Sequence, residues 1–520
     1  MSKFIQGTII LLAAGLVTRV LGFINRIVIA RFIGAEGVGL YMMAFPTFIL
    51  VVTITQFGLP VAIAKNVAEA EARGDTAKTK KILIVSLAIT LILSLIFTPA
   101  LLLLAPFLSE KLLTDPRTLL PLLAIAPVVP IIAVSSVIRG YFQGKQNMKP
   151  AAYSQLLEQV VRITLIAALT KAFLPYGIEY AAAGAMLAAV AGELVSLVYL
   201  LTSFKLKKKF RVRKHFFKYV HEGKSTFKQL MNVALPTTGS RMIGSIAWFF
   251  EPIVVAHSLA IAGVATVVAT QGYGALTGFA MPLLMLPSFI TIALSTSLVP
   301  AISEAKSKNN LRLIEYRIQQ ALRFSFITGG LAVVVIYVLS DQLMLAMYGS
   351  TTGTEFIKLM APFFLFYYFQ SPLQAALQAM DLARAAMINS LIGAVVKTAV
   401  IFLLASQPSF GITGVAIGIL VGFVLVTLLH FATILKAISF TFHMREYIKI
   451  FVIMLATGYG GHWIMNNLFN SLSLITSILL VASILSITYA GLVLILGIVR
   501  KNDLIAIPWI GKALSKFAFK

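Results

Sequence analysis

Little of this chain is charged, and none of it is cysteine. Charged residues make up 12% of the 520 positions, where a soluble protein usually carries about 25%. The lack of cysteine excludes a disulfide framework and a thiolate metal site. The sequence also lacks a Walker A phosphate loop and any loop long enough to hold a soluble catalytic domain. These absences exclude nucleotide hydrolysis within the chain, and we expect a protein that is not an enzyme.

Long apolar runs dominate what remains. Hydrophobic residues make up 59% of the sequence. Runs of about 20 residues, long enough to span a bilayer as helices, recur from one end to the other. They predict an all-α polytopic membrane protein with about 14 transmembrane helices. We expect no resident metal and no other cofactor.

The basic residues are distributed unevenly between the loops. The sequence has 43 Lys and Arg against 18 Asp and Glu, a net charge of +25. Most of the basic residues lie at the termini and in the loops that follow even-numbered runs. The opposite loops hold only Arg31, Lys111, Arg117, Lys171 and Lys358. The positive-inside rule then predicts a multi-pass protein of the cytoplasmic membrane with both termini in the cytoplasm. The charge would contact anionic membrane lipids there, and no nucleic acid partner is expected.

Three short stretches of the first half recur in order in the second half. The pairs are TRVLG at 18–22 with SRMIG at 240–244, FPTFI at 45–49 with LPSFI at 286–290, and YGIE at 176–179 with FGIT at 410–413. Their offsets stay between 222 and 241 residues. An internal repeat in an apolar membrane chain predicts two similar lobes around a central cleft.

We therefore divide the chain into four parts. An N-lobe of six helices covers 1–203, a basic cytoplasmic linker covers 204–229, and a C-lobe of six helices covers 230–437. Residues 438–520 hold two further helices and a basic tail. The predicted architecture is two six-helix pseudo-repeat lobes plus two C-terminal helices.

Six basic residues lie inside the apolar runs: Arg19, Arg26, Arg162, Arg241, Arg323 and Lys397. A charge at the centre of a membrane helix costs roughly 2.5–3.5 kcal/mol on insertion scales, so it persists where it faces water, a partner or a ligand. Arg323 lies near the end of its run, where its side chain would reach the interface. The other five are candidates for binding phosphate groups of a substrate in the central cleft. The alternative is that helix-end carbonyls or buried acids satisfy them.

Two helices carry an arginine stripe with glycine beside it, Gly15, Arg19, Gly22 and Arg26 in the first run and Arg241, Gly244, Trp248 and Glu251 in the seventh. Glycine leaves space beside a guanidinium group. If the two lobes face each other, Arg19 and Arg241 lie on opposite walls of the cleft. Two planar forks of donors would then form an anion site.

Three acids lie within apolar runs: Glu158, Glu193 and Glu251. Each is a candidate for binding a coupling cation or for balancing the charge of an arginine. Glu158 and Arg162 are four residues apart, in the favourable order for an ion pair, and fixing the packing is the alternative role for Glu158. A coupling ion, either sodium or a proton, or the membrane potential would drive transport.

Prolines occur at matching places in the two lobes. Pro46 and Pro60 in the second run correspond to Pro287 and Pro300 in the eighth. Because proline removes a backbone hydrogen bond, these positions predict helix kinks, which would suit a rocking motion between two lobes.

The motifs of the first two runs resemble those of a known family. The first run continues into TRVLGFINRIVIARFIGAEGVGLY, and the second ends in QFGLPVAIAK. With the six-plus-six-plus-two layout, the chain resembles the polysaccharide transporters of the multidrug/oligosaccharidyl-lipid/polysaccharide (MOP) exporter superfamily, and among them the stage V sporulation protein B group. The resemblance extends to the lipid II flippases of the MurJ family. It implies the MOP exporter fold.

The resemblance carries over to individual residues only in part. Arg19 and Gly22 fall on the helix-1 motif of the family. Where the lipid II flippases have Arg-Asp, this chain has Asn25 and Arg26. Those relatives also place an arginine in the eighth helix, but residues 260–300 contain no Lys or Arg here, and Arg241 is the nearest substitute.

The function that the resemblance implies is that of a flippase. It would move an undecaprenyl-pyrophosphate-linked oligosaccharide, expected to be lipid II for spore cortex peptidoglycan, by alternating access. The protein would then lie in the cytoplasmic membrane, including the membrane around the forespore, with cell-wall synthesis proteins as partners. Two alternatives stay open: export of another lipid-linked polysaccharide, and cation-coupled export of drugs by the same fold.

Overall fold

A computed structural model describes residues 3–207, 219, 221–468 and 473–499. Helices dominate, and no β-strand occurs among these residues. Most of the predicted linker and the whole basic tail after residue 499 lie outside the described residues.

The helices follow one another with short connections. In the first half they are α1 (Lys3–Gln56), α2 (Leu59–Ala72), α3 (Thr76–Phe107), α4 (Leu119–Ile125), α5 (Val128–Gly144), α6 (Lys149–Phe173), α7 (Ile178–Lys207), α8 (Lys224–Ile261) and α9 (Thr266–Gly274). In the second half they are α10 (Met281–Met285), α11 (Ser288–Ser307), α12 (Leu311–Val338), α13 (Ser340–Tyr348), α14 (Thr354–Met360), α15 (Phe364–Ala379), α16 (Ala383–Ala405), α17 (Gly411–Ala437), α18 (Met444–Leu468) and α19 (Leu474–Ile495).

Eleven helical segments in the described part of the chain are long and apolar enough to cross a membrane. The first of them, Ala14–Ala72, covers two of the predicted runs. Helix α6 is a further predicted run that falls below this apolarity because it carries Lys149, Glu158, Arg162 and Lys171. The remaining difference from the predicted number is the run at α14 and α15, which a short turn divides.

A sharp bend separates the first two predicted runs. Helix α1 continues through residue 34, where Gly34 has φ 62° and ψ −174°. That backbone conformation is open to glycine and strained for other residues. The bend allows one uninterrupted stretch of helix to supply two apolar segments.

The predicted proline positions lie at or near helix interruptions in two cases. The chain breaks at Phe57 and Gly58, both with positive φ, directly before Pro60 at the start of α2. Pro287 is the N-cap of α11, just after α10 ends. Pro46 and Pro300 lie inside α1 and α11.

Backbone contacts divide the chain into two compact units, Met1–Gly278 with Ala405–Ile412 and Phe279–Leu404 with Thr413–Lys520. Helices α8 and α9 therefore pack within the first unit, although the predicted C-lobe begins at residue 230. The sequence lobes are defined by the repeat and the units by contacts, so the lobe boundaries stay a prediction.

The two units are built around equivalent cores. In the first, the buried core includes Ile63, Val67, Leu83, Ile138 and Phe142. In the second, it includes Leu298, Ile302, Ile318, Leu373 and Leu377, each 235 residues later. The same positions are therefore buried in both halves, and the repeat seen in the sequence is a repeat of packing.

The turns repeat at the same spacing. Four pairs of residues have positive φ in both halves, Gly74 with Asn309, Thr114 with Gly349, Gln146 with Asp381, and Gly177 with Gly411. The first three pairs are 235 residues apart and the fourth 234. A left-handed residue ends a helix or forms a tight turn, so the helix boundaries of the two halves correspond.

The appended helices α18 and α19 pack on α12 in the second unit. Tyr489 on α19 donates a hydrogen bond to the carbonyl of Ile327 at 3.0 Å. Arg323 on α12 pairs with Glu446 on α18 at 3.5 Å. Arg323 is only 5% exposed, so the expectation that it reaches the interface is wrong. It lies twelve positions into α12, and its charge is satisfied inside the protein rather than at a helix end.

Candidate functional site

The face of α1 that carries Arg19 is open. Arg19 is exposed and Arg26 is partly buried. Gly15 and Gly22 have open space beside their α-carbons, since an added Cβ would meet no atom within 4 Å. Arg19 has no hydrogen-bond or ion-pair partner among the described residues. An arginine in an apolar helix without an internal partner needs water or a ligand.

Helix α8 carries the second predicted stripe, which changes from exposed to buried along its length. Arg241 and Gly244 are exposed, and Gly244 also has open space beside it. Within the described residues, Arg241 has no polar partner. At the other end of the stripe, Glu251 is buried and hydrogen-bonds Tyr273 beyond α9 residue Thr270. Glu251 is thus occupied by a phenol, whereas Arg241 is available to a ligand.

Helices α1 and α8 pack along each other in the first unit. The hydroxyl groups of Thr53 and Ser245 are 3.0 Å apart, and the rings of Phe45 and Trp248 are 5.8 Å apart, edge to face. Ser245 lies one helical turn after Arg241. No contact among the described residues joins Arg19 to Arg241, so their common role in one anion site stays a prediction.

A buried cluster of charges connects α5, α6 and α7. The Nη2 of Arg139 lies 3.1 Å from Glu193 Oε1 and 3.3 Å from Glu158 Oε2, and it donates to Ser196 Oγ at 2.8 Å. Arg162 Nη2 donates to the other oxygen of Glu158 at 2.5 Å. Glu193 is the deepest of the four charged groups, with 3% of its side chain exposed. Two positive and two negative charges thus balance each other within one group.

Small side chains bring the helices of this cluster together. A Cβ added at Gly192 would lie 2.8 Å from the carbonyl oxygen of Glu158. Gly192 precedes Glu193, so the close approach of α7 to α6 sets both carboxyl groups next to Arg139. On the other side, the buried phenol of Tyr41 on α1 lies within electrostatic range of both Arg162 and Arg26. The structure therefore brings Arg26, Arg162, Glu158 and Glu193 into one region.

Arg139 is the member that the sequence interpretation missed. It was assigned to a basic loop, because Lys145 and Lys149 follow it closely. In the structure it lies inside α5, which continues to Gly144. The available signal was the apolar stretch VVPIIAVSSVI that leads into it without a break.

Lys397 lies in the second unit, at the position that repeats Arg162. Its stem packs against Gly422 on α17, where an added Cβ would lie 2.9 Å from Lys397 Cβ. The rest of the charged cluster has no charged counterpart: residues 235 or 234 positions after Arg139, Glu158, Glu193 and Ser196 are Gln374, Gly393, Thr427 and His430. His430 is buried and within 3.2 Å of the amide of Asn389. The second unit builds the same core without the charges, so the fold does not require them.

A second polar cluster joins α1, α9 and the turn between α3 and α4. Asp115 accepts hydrogen bonds from Thr270 Oγ1 at 2.7 Å and from Arg117 Nη2 at 2.7 Å. Arg117 also pairs with Glu36, two residues after the bend in α1. Burial by itself raises the pKa of Asp115, but the hydrogen bonds from Arg117 and Thr270 outweigh it and hold the pKa below its usual value. The sequence placed these residues only in short loops and did not predict their meeting.

No group of three or more His, Asp or Glu suited to a metal ion occurs in the described part of the chain. Its chemistry is that of arginines, carboxylates and open glycines, which bind anions and protons rather than transform a substrate covalently.

Comparison with known families agrees with this chemistry. Residues 4–306 match the family described as "Polysaccharide biosynthesis protein", and residues 273–403 match the MatE family. The chain is 60% identical over 511 residues to "Stage V sporulation protein B" of Bacillus subtilis (strain 168), covering 98% of this chain and 99% of the relative. It is 24% identical over 434 residues to "Lipid II flippase MurJ" of the same organism, covering 76% of each.

A solved structure shows the fold. The structure described as "Lipid II flippase MurJ, inward closed conformation" matches with a TM-score of 0.69 at 15% identity, covering 94% of this chain and 98% of that chain. The predicted all-α MOP exporter fold is therefore confirmed. With more than half of the chain matched by the first family and nearly all of it by the sporulation relative, the chain belongs to the polysaccharide biosynthesis protein family and, among the membrane transporters of the MOP superfamily, to the stage V sporulation protein B group.

Proposed function

We propose that this chain is a flippase that carries an undecaprenyl-pyrophosphate-linked oligosaccharide across the cytoplasmic membrane. The specific substrate we propose is lipid II for spore cortex peptidoglycan. Two relatives support the choice by name, one a sporulation protein and the other a lipid II flippase. The residues support it by their charge, since a pyrophosphate needs cationic donors along its path.

The observation that carries the proposal is the pair of open arginine stripes. Arg19 and Arg241 are exposed on apolar helices, and Gly22 and Gly244 leave open space beside them. A structural arginine would be expected to have an internal acid, as Arg162 and Arg323 have. Because Arg binds phosphate through a planar fork, two such residues suit a diphosphate better than a single lysine would.

The repeated core suggests how transport proceeds. Two units with equivalent cores and corresponding turns are the architecture that secondary transporters use for alternating access. The helix interruptions beside Pro60 and Pro287 offer places where helices bend during such a cycle. No nucleotide site is needed if a coupling ion or the membrane potential supplies the energy.

Export of organic cations is the second candidate, because part of the chain matches the MatE family. Such a substrate would require acids that are free to bind it. Glu158 and Glu193 are instead engaged by arginines, and Glu251 by Tyr273. Another lipid-linked polysaccharide would use the same phosphate contacts as lipid II, so only the sugar distinguishes that alternative.

A translocation assay tests the proposal. Purified protein in liposomes should move fluorescent lipid II between leaflets, and an excess of unlabelled lipid II should compete. Arg384→Ala, at an exposed position on the first turn of α16, is the matched control that should transport normally. Transport of an organic cation but not of lipid II would refute the flippase proposal. Competition only by another lipid-linked sugar would refute the choice of lipid II.

The location and the topology are part of the proposal. We propose that both termini lie in the cytoplasm, that the protein resides in the membrane around the forespore, and that cell-wall synthesis proteins act beside it. Because the chain has no cysteine, single cysteines report sidedness cleanly. Arg73→Cys should resist an impermeant thiol reagent in intact cells, and Lys111→Cys, also at an exposed position, should react. The reverse result would invert the topology.

A further inference from the structure

The charged cluster of the first unit has a feature that simple packing does not explain. A single guanidinium nitrogen, Nη2 of Arg139, serves the carboxyl groups of both Glu193 and Glu158. The two carboxyl groups also lie within hydrogen-bonding reach of each other. Two carboxylates this close, in a buried setting, resist being ionised together, and a shared proton relieves the repulsion.

Glu158 connects this proton-binding pair to Arg162. One of its oxygens contacts Arg139, and the other accepts from Arg162 at 2.5 Å. A proton on Glu158 would remove the negative charge that holds Arg162. The cluster would then change from neutral to a net charge of plus one, with the added proton drawn from solvent and no electron moved.

Arg162 has an alternative partner region on its other side. It lies within electrostatic range of Tyr41, as does Arg26, which belongs to the stripe of Arg19. An anion bound beside Arg26 would attract Arg162 once Glu158 no longer holds it. Arg162 can therefore be exchanged between an internal carboxylate and an external anion.

The surroundings contain no other group that would titrate in its place. The charged or titratable side chains facing the pair are Arg139 on α5, Arg162 on α6, and Arg26 and Tyr41 on α1. Helix α4 carries no titratable side chain. The equivalent positions in the second unit are neutral apart from Lys397 and the buried His430. The device is confined to one unit, which is expected of a functional feature rather than a folding requirement.

We propose that Glu158 and Glu193, held together by Arg139, form a proton-binding site, and that a proton bound there releases Arg162 to the phosphate groups of the substrate. The identity of the substrate rests on the proposed function. The coupling itself requires only an anion near Arg26 and Arg162. By linkage, protonation and anion binding must strengthen each other by the same factor.

The test measures binding of undecaprenyl pyrophosphate to the full-length protein in detergent between pH 5.5 and 8.5. Wild-type affinity should rise as pH falls, by up to about tenfold per pH unit through the titration of one proton. The ligand's own phosphates titrate in every sample, so the informative quantity is the difference in slope between proteins. Glu158→Gln should bind at high pH as wild type does at low pH and should flatten the slope.

Glu193→Gln is the second variant, used if Glu158→Gln does not fold, and it should flatten the slope as well. Asp341→Asn, in an exposed pair with Lys358 at 2.8 Å, is the matched control and should keep the wild-type slope. Equal slopes in wild type and both glutamine variants would overturn the inference, as would a dependence on sodium in place of pH or no binding by wild type at any pH. A protein with the predicted slopes that fails to translocate lipid II would retain the inference and lose the proposed substrate.

Discussion

Thr270 Oγ1 donates a hydrogen bond to Asp115 Oδ2 at 2.7 Å, although the two residues are 155 positions apart in the sequence. The contact ties α9 to the turn after α3, and Arg117 extends it to Glu36 on α1. Beside it, Gly39 and Gly274 let α1 and α9 approach until their backbones touch, since a Cβ on either would overlap the other helix. This polar clasp, made of Asp115, Arg117, Glu36 and Thr270, holds α9 against α1 in the first unit.

Removing the negative charge of the clasp should destabilise the first unit. Asp115 is 1% exposed and accepts from Thr270 and from Arg117. Asp115→Asn leaves buried donors unsatisfied, and we expect a loss of about 1–3 kcal/mol in the free energy of unfolding. Denaturant unfolding in mixed micelles measures it, with Asp341→Asn at an exposed pair as the control. An Asp115→Asn protein as stable as wild type would contradict the clasp.

The contribution of Asp115 should depend on pH in one direction only. Hydrogen bonds hold its pKa below the usual value despite burial. A depressed pKa means that the stabilisation is complete above the unfolded pKa, about 3.9. It is lost as pH falls through the lower folded value. The stability difference between wild type and Asp115→Asn should therefore stay constant from pH 8 to pH 5 and shrink below about pH 4. A difference that changes between pH 6 and pH 8 would assign the effect to another group.

The close crossing of α1 and α9 should tolerate no side chain. A Cβ at Gly39 would overlap the carbonyl oxygen of Thr270, a backbone atom that cannot rotate away. Gly39→Ala should destabilise the protein by about 1–3 kcal/mol, the usual range for overpacking. Gly458→Ala on α18 is the matched control, because open space surrounds Gly458. Thermal unfolding followed by fluorescence compares the two, and equal melting temperatures would rule out the tight crossing.

Much of the fold could be predicted because membrane insertion leaves strong marks on a sequence. Apolar run length, the position of basic loops and the repeated motifs each follow from a simple physical constraint. The bend at Gly34 and the burial of Arg323 could not be predicted in this way, because both depend on which neighbours pack nearby. Arg139 was missed for a related reason: helix ends are the least certain part of any run, and its helix extends five residues beyond it.

The candidate site divides along the same line. The individual members, Arg26, Arg162, Glu158 and Glu193, stood out as charges in apolar runs. Their grouping could not be predicted, because contacts between α5, α6 and α7 join residues as much as 57 positions apart. The Asp115 clasp was less accessible still, since short loops rich in turn residues carry no periodic signal.

Breaking the charged cluster should cost more than neutralising it. Arg139→Gln leaves Glu158 and Glu193 without their shared partner, and loss of one member of a buried ion pair typically costs about 3–5 kcal/mol. The double variant Arg139→Gln with Glu193→Thr introduces the residues found at the equivalent places in the second unit, Gln374 and Thr427. It should recover most of the stability but not the transport activity. Unfolding and translocation assays on both proteins check this, and a double variant less stable than the single one would contradict it.

The most direct measurement is lipid II translocation by Arg19→Ala and Arg241→Ala proteins in liposomes at matched abundance. A charge-assisted contact contributes about 1.5–3 kcal/mol, so each variant should lose roughly ten- to a hundredfold of substrate affinity. Arg→Lys at either position should recover only part of it, because Lys keeps the charge without the planar fork. Arg323→Ala is unsuitable as a control because Arg323 is buried with Glu446, and Arg384→Ala takes its place. Reduced transport in both alanine variants, with Arg384→Ala unaffected, is the predicted result. Normal transport by both would show that the exposed arginines do not bind the substrate.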